Sequence, residues 1–271
     1  MFADRINTVS PSYAAEIKTP YYGEGLDGIL NARHEVLSGI LNGIDRETFN
    51  PRNDSLLPAC YDRGHLKGKA VCKEELQRQM GLEVRPDVPM FAMVTRMTEQ
   101  KGFDLVACVL DDMMCREKMQ FMLLGSGDER FEKFMAAAET RYPGKLCSYI
   151  GYKEELSHLV YAGSDFFLMP SRFEPCGLSQ MIAMRYGSVP IVRETGGLRD
   201  TVIPYNRFPG EGNGFSFPNY DAWEMRDAMR LAMECYKNKE IMQGLISRAM
   251  RADFGFERSA EEYAKHYIWI L

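Results

Sequence analysis

Little in this 271-residue sequence is arranged for disulfide or metal chemistry. The cysteines, at 60, 72, 108, 115, 147, 176 and 235, are odd in number, widely spaced and never set as CxxC. That pattern disfavours a disulfide framework and a structural zinc site alike, and it fits a reducing cytoplasm. Histidine is scarce, and none of the four has a partner at metal-ligand spacing, so no metal is expected. Positive charge is not in excess. A formal net charge of -5 argues against a broad nucleic-acid surface, while leaving room for a local basic pocket that takes an anionic small molecule. The longest apolar runs, such as FFLM and FMLL, are far too short for a bilayer, and nothing resembles a signal peptide, so a soluble protein with no membrane partner is expected. Repeats, low-complexity tracts and Pro/Gly/Ser linkers are also missing, which leaves the polar segment Arg52 to Lys69 as the expected flexible stretch.

What is present is a rhythm. From Met90 onward, the short apolar runs MFAMVT, QFMLLG, CSYIGY, DFFLMP and VPIVRE alternate with KGFDLVACVLDDMM, DERFEKFMAAAETRY and KEELSHLVYAG. The first set is brief, apolar throughout and ended by Gly, Pro or a charge, as buried strands are; the second spaces apolar residues at three and four, as helices do. Such alternation predicts an α/β fold, a doubly wound parallel sheet with helices on both faces. The first ~85 residues lack this rhythm by the same periodicity test. There INTVSPSYAAEI reads as a strand running into a capped helix, and part of the segment resembles the edge of another domain. At the other end, ADFGFERSAEEYAKHYIWIL is an amphipathic helix with an aromatic face that should pack against something.

In doubly wound sheets ligands lie beyond the carboxyl ends of the strands, so the segments after each apolar run carry the functional expectation. Arg96 and Lys101 bracket the turn after the first run and would put two cations into a crevice that suits a diphosphate. Alone, the pair does not separate an anion site from two solvated turn residues. After the fourth run comes SRFEPCGLSQ. Gly177, Leu178 and Ser179 open a helix whose first amides form an anion site, Glu174 stands at its mouth to accept from sugar hydroxyls, and Cys176 is small enough to line a pocket. The competing reading makes Glu174 and Ser179 helix-start residues and Cys176 a small buried hydrophobe. Thr195, Gly196 and Gly197 form a second Gly-rich helix entry where backbone could approach a ligand, and Tyr152 offers a ring to a nucleobase. Asp128 reads as a helix cap and His158 as structural.

Together, VTRMTEQKGFDLV, LLGSGDERF, IGYKEELSHLVYAGSDFFLMPSRFEPCGLSQ and VRETGGLRDTV resemble the C-terminal half of bacterial glycogen synthase and plant starch synthase. Upstream, TVSPSYAAEI, TPYYGEGLDGIL and LSGILNGIDRETFNP are similar to the family's passage from its N-terminal into its C-terminal domain. The resemblance implies a retaining, metal- and cofactor-independent transferase of the two-Rossmann GT-B architecture that moves glucose from ADP-glucose to the non-reducing 4-hydroxyl of an α-1,4-glucan. It divides the chain into residues 1–45, the tail of the N-terminal domain and the crossing; 46–255, the Rossmann-like nucleotide-sugar domain; and 256–271, a helix that packs on the N-terminal domain.

Carried over by motif position, Arg96 and Lys101 hold the donor phosphates, Glu174 binds the glucosyl hydroxyls, and the amides of Gly177, Leu178 and Ser179 cradle the distal phosphate. Tyr152 faces the adenine, Asn42 lies near the sugar, and Cys176 lines the donor pocket. Related retaining transferases carry a second glutamate eight positions after the first; here Ile182 stands there. The family's Lys-Thr-Gly-Gly-Leu loop is missing, so the chain is expected to be a donor-binding half, weakly nucleotide-binding and inactive alone. Tyr13, Tyr21, Tyr22, Tyr267 and Trp269 are then expected on a surface that the missing N-terminal domain, or self-association, would cover. A UDP-sugar-dependent transferase half and a non-catalytic nucleotide- or glucan-binding module remain as alternatives.

Overall fold

The computed structural model describes residues 3–270, apart from the side chains of 269 and 270, so the expectation for Trp269 lies outside the described residues. Six parallel strands form the main sheet: β3 (Met90–Val94), β4 (Gln120–Gly125), β5 (Leu146–Ile150), β6 (Phe166–Met169), β7 (Val189–Arg193) and β8 (Phe215–Phe217), in the order β5-β4-β3-β6-β7-β8. The first five coincide with the five apolar runs. Strands β4, β6 and β7 are buried along their whole length, because helices cover both faces and leave no polar side to alternate with.

On one face lie α4 (Phe103–Arg116), α5 (Glu129–Arg141) and α9 (Ala222–Tyr236). On the other lie α6 (Glu154–Gly163) and α7 (Ser179–Arg185), flanked by α3 (Lys67–Gln79) and α10 (Lys239–Arg251). The core between them is rich in Phe and Met, whose unbranched thioethers fill irregular gaps.

The expected flexible stretch is instead fixed. Asp54 is buried and accepts from Tyr186 Oη at 2.5 Å, with His158 Nδ1 2.7 Å from the same carboxylate oxygen; Tyr61 Oη donates to the Tyr186 carbonyl at 2.8 Å. Sparse hydrophobicity hid a segment anchored through buried hydrogen bonds. His158 is accordingly structural, as read. Asp128 sits at the N-cap of α5 but its side chain makes no capping bond; it accepts through its backbone carbonyl, and its carboxylate lies 3.6 Å from Arg130.

The N-terminal segment forms a small second layer. Strands β1 (Ile6–Thr8) and β2 (Leu37–Gly39) pair in parallel, joined through α1 (Pro11–Glu16) and α2 (Asp27–Ala32). Ser10 caps α1 by accepting from the Tyr13 amide at 2.9 Å, the strand-into-capped-helix that the sequence suggested. The final helix, α11 (Phe256–Ile270), returns to this layer: Asn7 Nδ2 donates to Tyr263 Oη at 3.0 Å, and Ser38 Oγ lies 3.0 Å from His266 Nε2. The two chain crossings run side by side, with the Ile44 amide donating to the Phe254 carbonyl at 2.8 Å. Tyr21 and Tyr267 are exposed as expected, whereas Tyr13 and Tyr22 are half-buried.

Candidate active site at the switch point of the sheet

Strands β3 and β6 are neighbours, but the chain leaves β3 toward β4 and β6 toward β7, so the loops after them diverge and open a crevice. Gly102 ends the short 3-10 turn Glu99–Lys101 with φ 75°, and a side chain on it would meet the Pro170 carbonyl at 2.1 Å. The two loops therefore touch, and the Arg172 amide donates to the Gln100 carbonyl at 2.9 Å. This contact delivers Lys101 Nζ to Glu174 Oε2 at 2.6 Å, with the two side chains only 17% and 8% exposed. Ser171 Oγ donates to the same oxygen at 3.0 Å, and among the described residues Oε1 accepts no hydrogen bond. Two charges held this far from water are tolerable only because each lies against the other. Arg96, on the same turn, is exposed and its guanidinium reaches Gln100 Oε1 at 3.4 Å, a loose contact that leaves it free to swing toward a ligand.

The loop from 170 to 179 is stapled from within by Gln180, whose Nε2 donates to the carbonyls of Cys176 at 3.2 Å and Gly177 at 2.9 Å. Gly177 sits at φ 71°, and a side chain there would strike Gln180 Oε1 at 2.4 Å. With the carbonyls committed to Gln180 and no capping side chain at Leu178, the amides of Gly177, Leu178 and Ser179 meet no acceptor among the described residues. Open amides at a helix entry bind anions. Burial pushes the Cys176 thiol above its ordinary value, partly offset by a hydrogen bond from the Asn42 backbone amide. Asn42 thus reaches this region through its main chain. Ser179 hydrogen-bonds the buried Tyr161 phenol, whose pKa burial pushes up to about 12, and Tyr152 lies close enough to Tyr161 to affect its titration. Tyr152 itself is 72% exposed.

Thr195, Gly196 and Gly197 open α8 (Gly196–Thr201), but their amides are already used within the chain. The Gly196 amide and Thr195 hydroxyl donate to Glu16 of α1 at 2.8 and 3.1 Å, and the Gly197 amide donates to the Glu174 carbonyl at 3.0 Å. Side chains on the two glycines would lie 2.0 Å from the Glu174 carbonyl oxygen and 1.9 Å from that of Cys176. The glycine pair therefore lets α8 press against the Glu174 loop.

Sequence reasoning missed three contributors. Gln180 closed the quoted motif without attracting notice. Arg193 ended a strand; buried, it donates to the carbonyls of Ser171 at 3.3 Å and Arg172 at 2.6 Å and to Tyr22 Oη at 3.0 Å, tying the Glu174 loop to the N-terminal layer. Glu16 lay in a segment assigned to another domain. No local signal marks either of the last two, since their partners are distant in sequence.

Residues 76–246 match the family described as glycosyl transferases group 1, and residues 1–32 match the starch synthase catalytic domain. The chain is 55% identical over 269 residues to a glycogen synthase of Geobacillus thermodenitrificans, covering 99% of this chain and 55% of that one. A glycogen synthase of Clostridium novyi is 49% identical over 271 residues, covering 100% of this chain and 56% of the relative. Among solved structures, the catalytic domain of starch synthase IV from Arabidopsis thaliana, bound to ADP and acarbose, superposes with a TM-score of 0.92 at 37% identity, over 98% of this chain and 56% of that one. An Anabaena protein in complex with UDP-glucose shares the fold, with a TM-score of 0.68 at 16% identity, over 98% of this chain and 64% of the other. The chain spans about half the length of the curated relatives it matches. The motif resemblance to the bacterial glycogen synthases is borne out, and the chain belongs to the glycosyl transferases group 1 family, as a Rossmann-like domain of the GT-B kind.

Proposed function

We propose that this chain is the donor-binding half of a retaining glucosyltransferase that extends α-1,4-glucans from ADP-glucose. The observation that carries the reading is the Lys101–Glu174 pair at the switch point beside three amides that meet no acceptor among the described residues. In the proposed arrangement the diphosphate lies between Lys101, with Arg96 folding over it, and the amides of Gly177, Leu178 and Ser179. Glu174, pinned through Oε2, offers Oε1 to the glucosyl hydroxyls. Tyr152 stacks on the adenine, Cys176 lines the pocket, and Asn42 closes its sugar end. Thr195, Gly196 and Gly197 act on the donor indirectly, by bracing the Glu174 loop.

Transfer breaks the bond between the anomeric carbon and the phosphate oxygen, with the electron pair leaving on ADP. The acceptor 4-hydroxyl attacks the same face of the oxocarbenium-like centre and gives its proton to the departing phosphate. Lys101, Arg96 and the amides stabilise the charge that grows on that phosphate, which is where fixed dipoles and cations lower a barrier most. Ile182, buried in α7, supplies no second carboxylate, so Glu174 works alone. Acceptor binding and exclusion of water would fall to a second, N-terminal half, which would cover the exposed Tyr21, Leu26, Ile29 and Tyr267; that the chain spans about half the length of its relatives supports this reading. A reducing cytoplasm is the proposed setting.

Calorimetric titration with ADP tests the reading. Lys101→Ala and Arg96→Ala should each weaken binding by about 1 kcal/mol or more, roughly fivefold, as charge-assisted bonds require. UDP should compete poorly. Binding that both substitutions leave unchanged would place the nucleotide elsewhere and favour a non-catalytic module.

A further inference from the structure

At the far end of α7 from the open amides, a concavity of about 330 Å3 is lined by Arg52, Arg63, Arg185 and Arg251 against one carboxylate, Asp62. In a chain of net charge -5 this is a local focus of positive charge. Arg185, half-buried at its floor, is aimed by two fixed contacts, Nε to the Phe49 carbonyl at 3.3 Å and a terminal nitrogen to Asn50 Oδ1 at 3.1 Å. Arg63 and Arg251 are exposed, and their side chains take part in no hydrogen bond or ion pair among the described residues. Asp62 pairs with one of the four: one oxygen accepts from the Gly64 and His65 amides, with the His65 ring 3.3 Å from it, and the other meets Arg52 at 3.4 Å. Burial, and then repulsion from Arg46 and Arg52, depresses the Arg185 guanidinium, with Tyr186 and Asp253 partly offsetting them, and an anion placed among the lining arginines would be attracted to each of them.

We propose that this concavity binds the phosphate group of a small phosphorylated molecule, gripped by Arg185 and Arg251 and closed by Arg52 and Arg63 from the rim. Convergent guanidinium forks match a tetrahedral dianion bidentately, and the volume sits at the lower end of small-molecule sites. The site is separate from the donor cradle, which opens about 10 Å away at the first turn of the same seven-residue helix. It stands whether or not the donor assignment does.

The test titrates the 271-residue chain with inorganic phosphate and, separately, with glycerol 2-phosphate, following the arginine Nε–Hε resonances. Both probes should shift the Arg185 resonance, and Arg63→Ala/Arg251→Ala should weaken that response about tenfold while the fold, judged by the remaining spectrum, stays intact. Lys101→Ala should leave it unchanged. Equal affinity for the two probes would assign recognition to the phosphate group itself, and tighter ester binding would assign it to an organic phosphate; either supports the site. The proposal is overturned if neither probe binds, if the Arg63→Ala/Arg251→Ala variant binds as the parent does, if Lys101→Ala abolishes the response, or if poly-L-glutamate alone binds.

Discussion

Alanine at Gly197 is a sharp probe of how the Glu174 loop is held. The added methyl would lie 1.9 Å from the Cys176 carbonyl oxygen, 2.4 Å from its carbon and 2.5 Å from Cα, whereas real contacts of this kind stay beyond 3.0 Å. Every atom it strikes is backbone, so no rotamer change relieves the overlap. Either α8 or the 174–176 segment has to move by about an ångström, and overpacking of that kind costs about 3 kcal/mol. For a domain of this size that is roughly 6–12 °C in Tm. The moved segment also carries the Gly197-to-Glu174 hydrogen bond and Glu174 itself, so ADP affinity should fall in parallel. Gly28 provides the control: it lies on exposed α2 with nothing within 4 Å of an added carbon, and Gly28→Ala should raise stability by about 0.5–1 kcal/mol through helix propensity. Scanning calorimetry of the two variants decides the matter. If Gly197→Ala melts within about 1 °C of the parent, the close approach of α8 to the loop is not what the glycine serves.

Two further outcomes follow from the buried groups. Lys73 Nζ meets Asp165 Oδ2 at 2.6 Å beneath the sheet, with side chains 8% and 13% exposed, so Lys73→Met should cost about 3–5 kcal/mol in urea denaturation by stranding a buried carboxylate. Burial alone would depress the Lys73 pKa, but Asp165 and Tyr236 hold it above its ordinary value. Its contribution is therefore fully present below the unfolded pKa of about 10.4 and lost only as pH rises through the folded one, and a Lys73→Met penalty that faded between pH 6 and 9 would contradict this. Thiol labelling at neutral pH should show fast reaction at the exposed Cys60, Cys108 and Cys115 and slow reaction at Cys72, Cys147, Cys176 and Cys235. Burial raises all four slow thiols, and rapid modification of Cys176 in the folded chain would mean that its pocket is open.

The parallel sheet was legible because strands covered on both faces leave uninterrupted apolar runs, and β3, β4, β6 and β7 are such runs, while the edge strand β5 is buried only over its first residues. β8 was not: Phe215–Phe217 spans three residues between GNG and PN, and its middle residue is only half-buried. The rim loops were legible as well, since a parallel sheet places every post-strand segment at one end. Which loops meet was not. Lys101 and Glu174 are 73 residues apart and come together only because β6 lies next to β3, a fact of strand order that periodicity does not carry. The same holds for Glu16 at the Gly196 amide, 180 residues away, which turned an expected ligand-facing amide into an internal contact. Arg52 to Lys69 misled for a related reason, since Asp54 anchors it through a polar network that composition cannot distinguish from a solvated loop.

The most direct test is a crystal structure of this chain with ADP. The diphosphate is expected within hydrogen-bonding distance of Lys101 Nζ on one side and of the Gly177, Leu178 and Ser179 amides on the other, with the adenine against Tyr152. Density for ADP in another cleft with none in the switch-point crevice, the arginine-lined concavity at the opposite end of α7 included, would contradict the assignment of that crevice as the donor site.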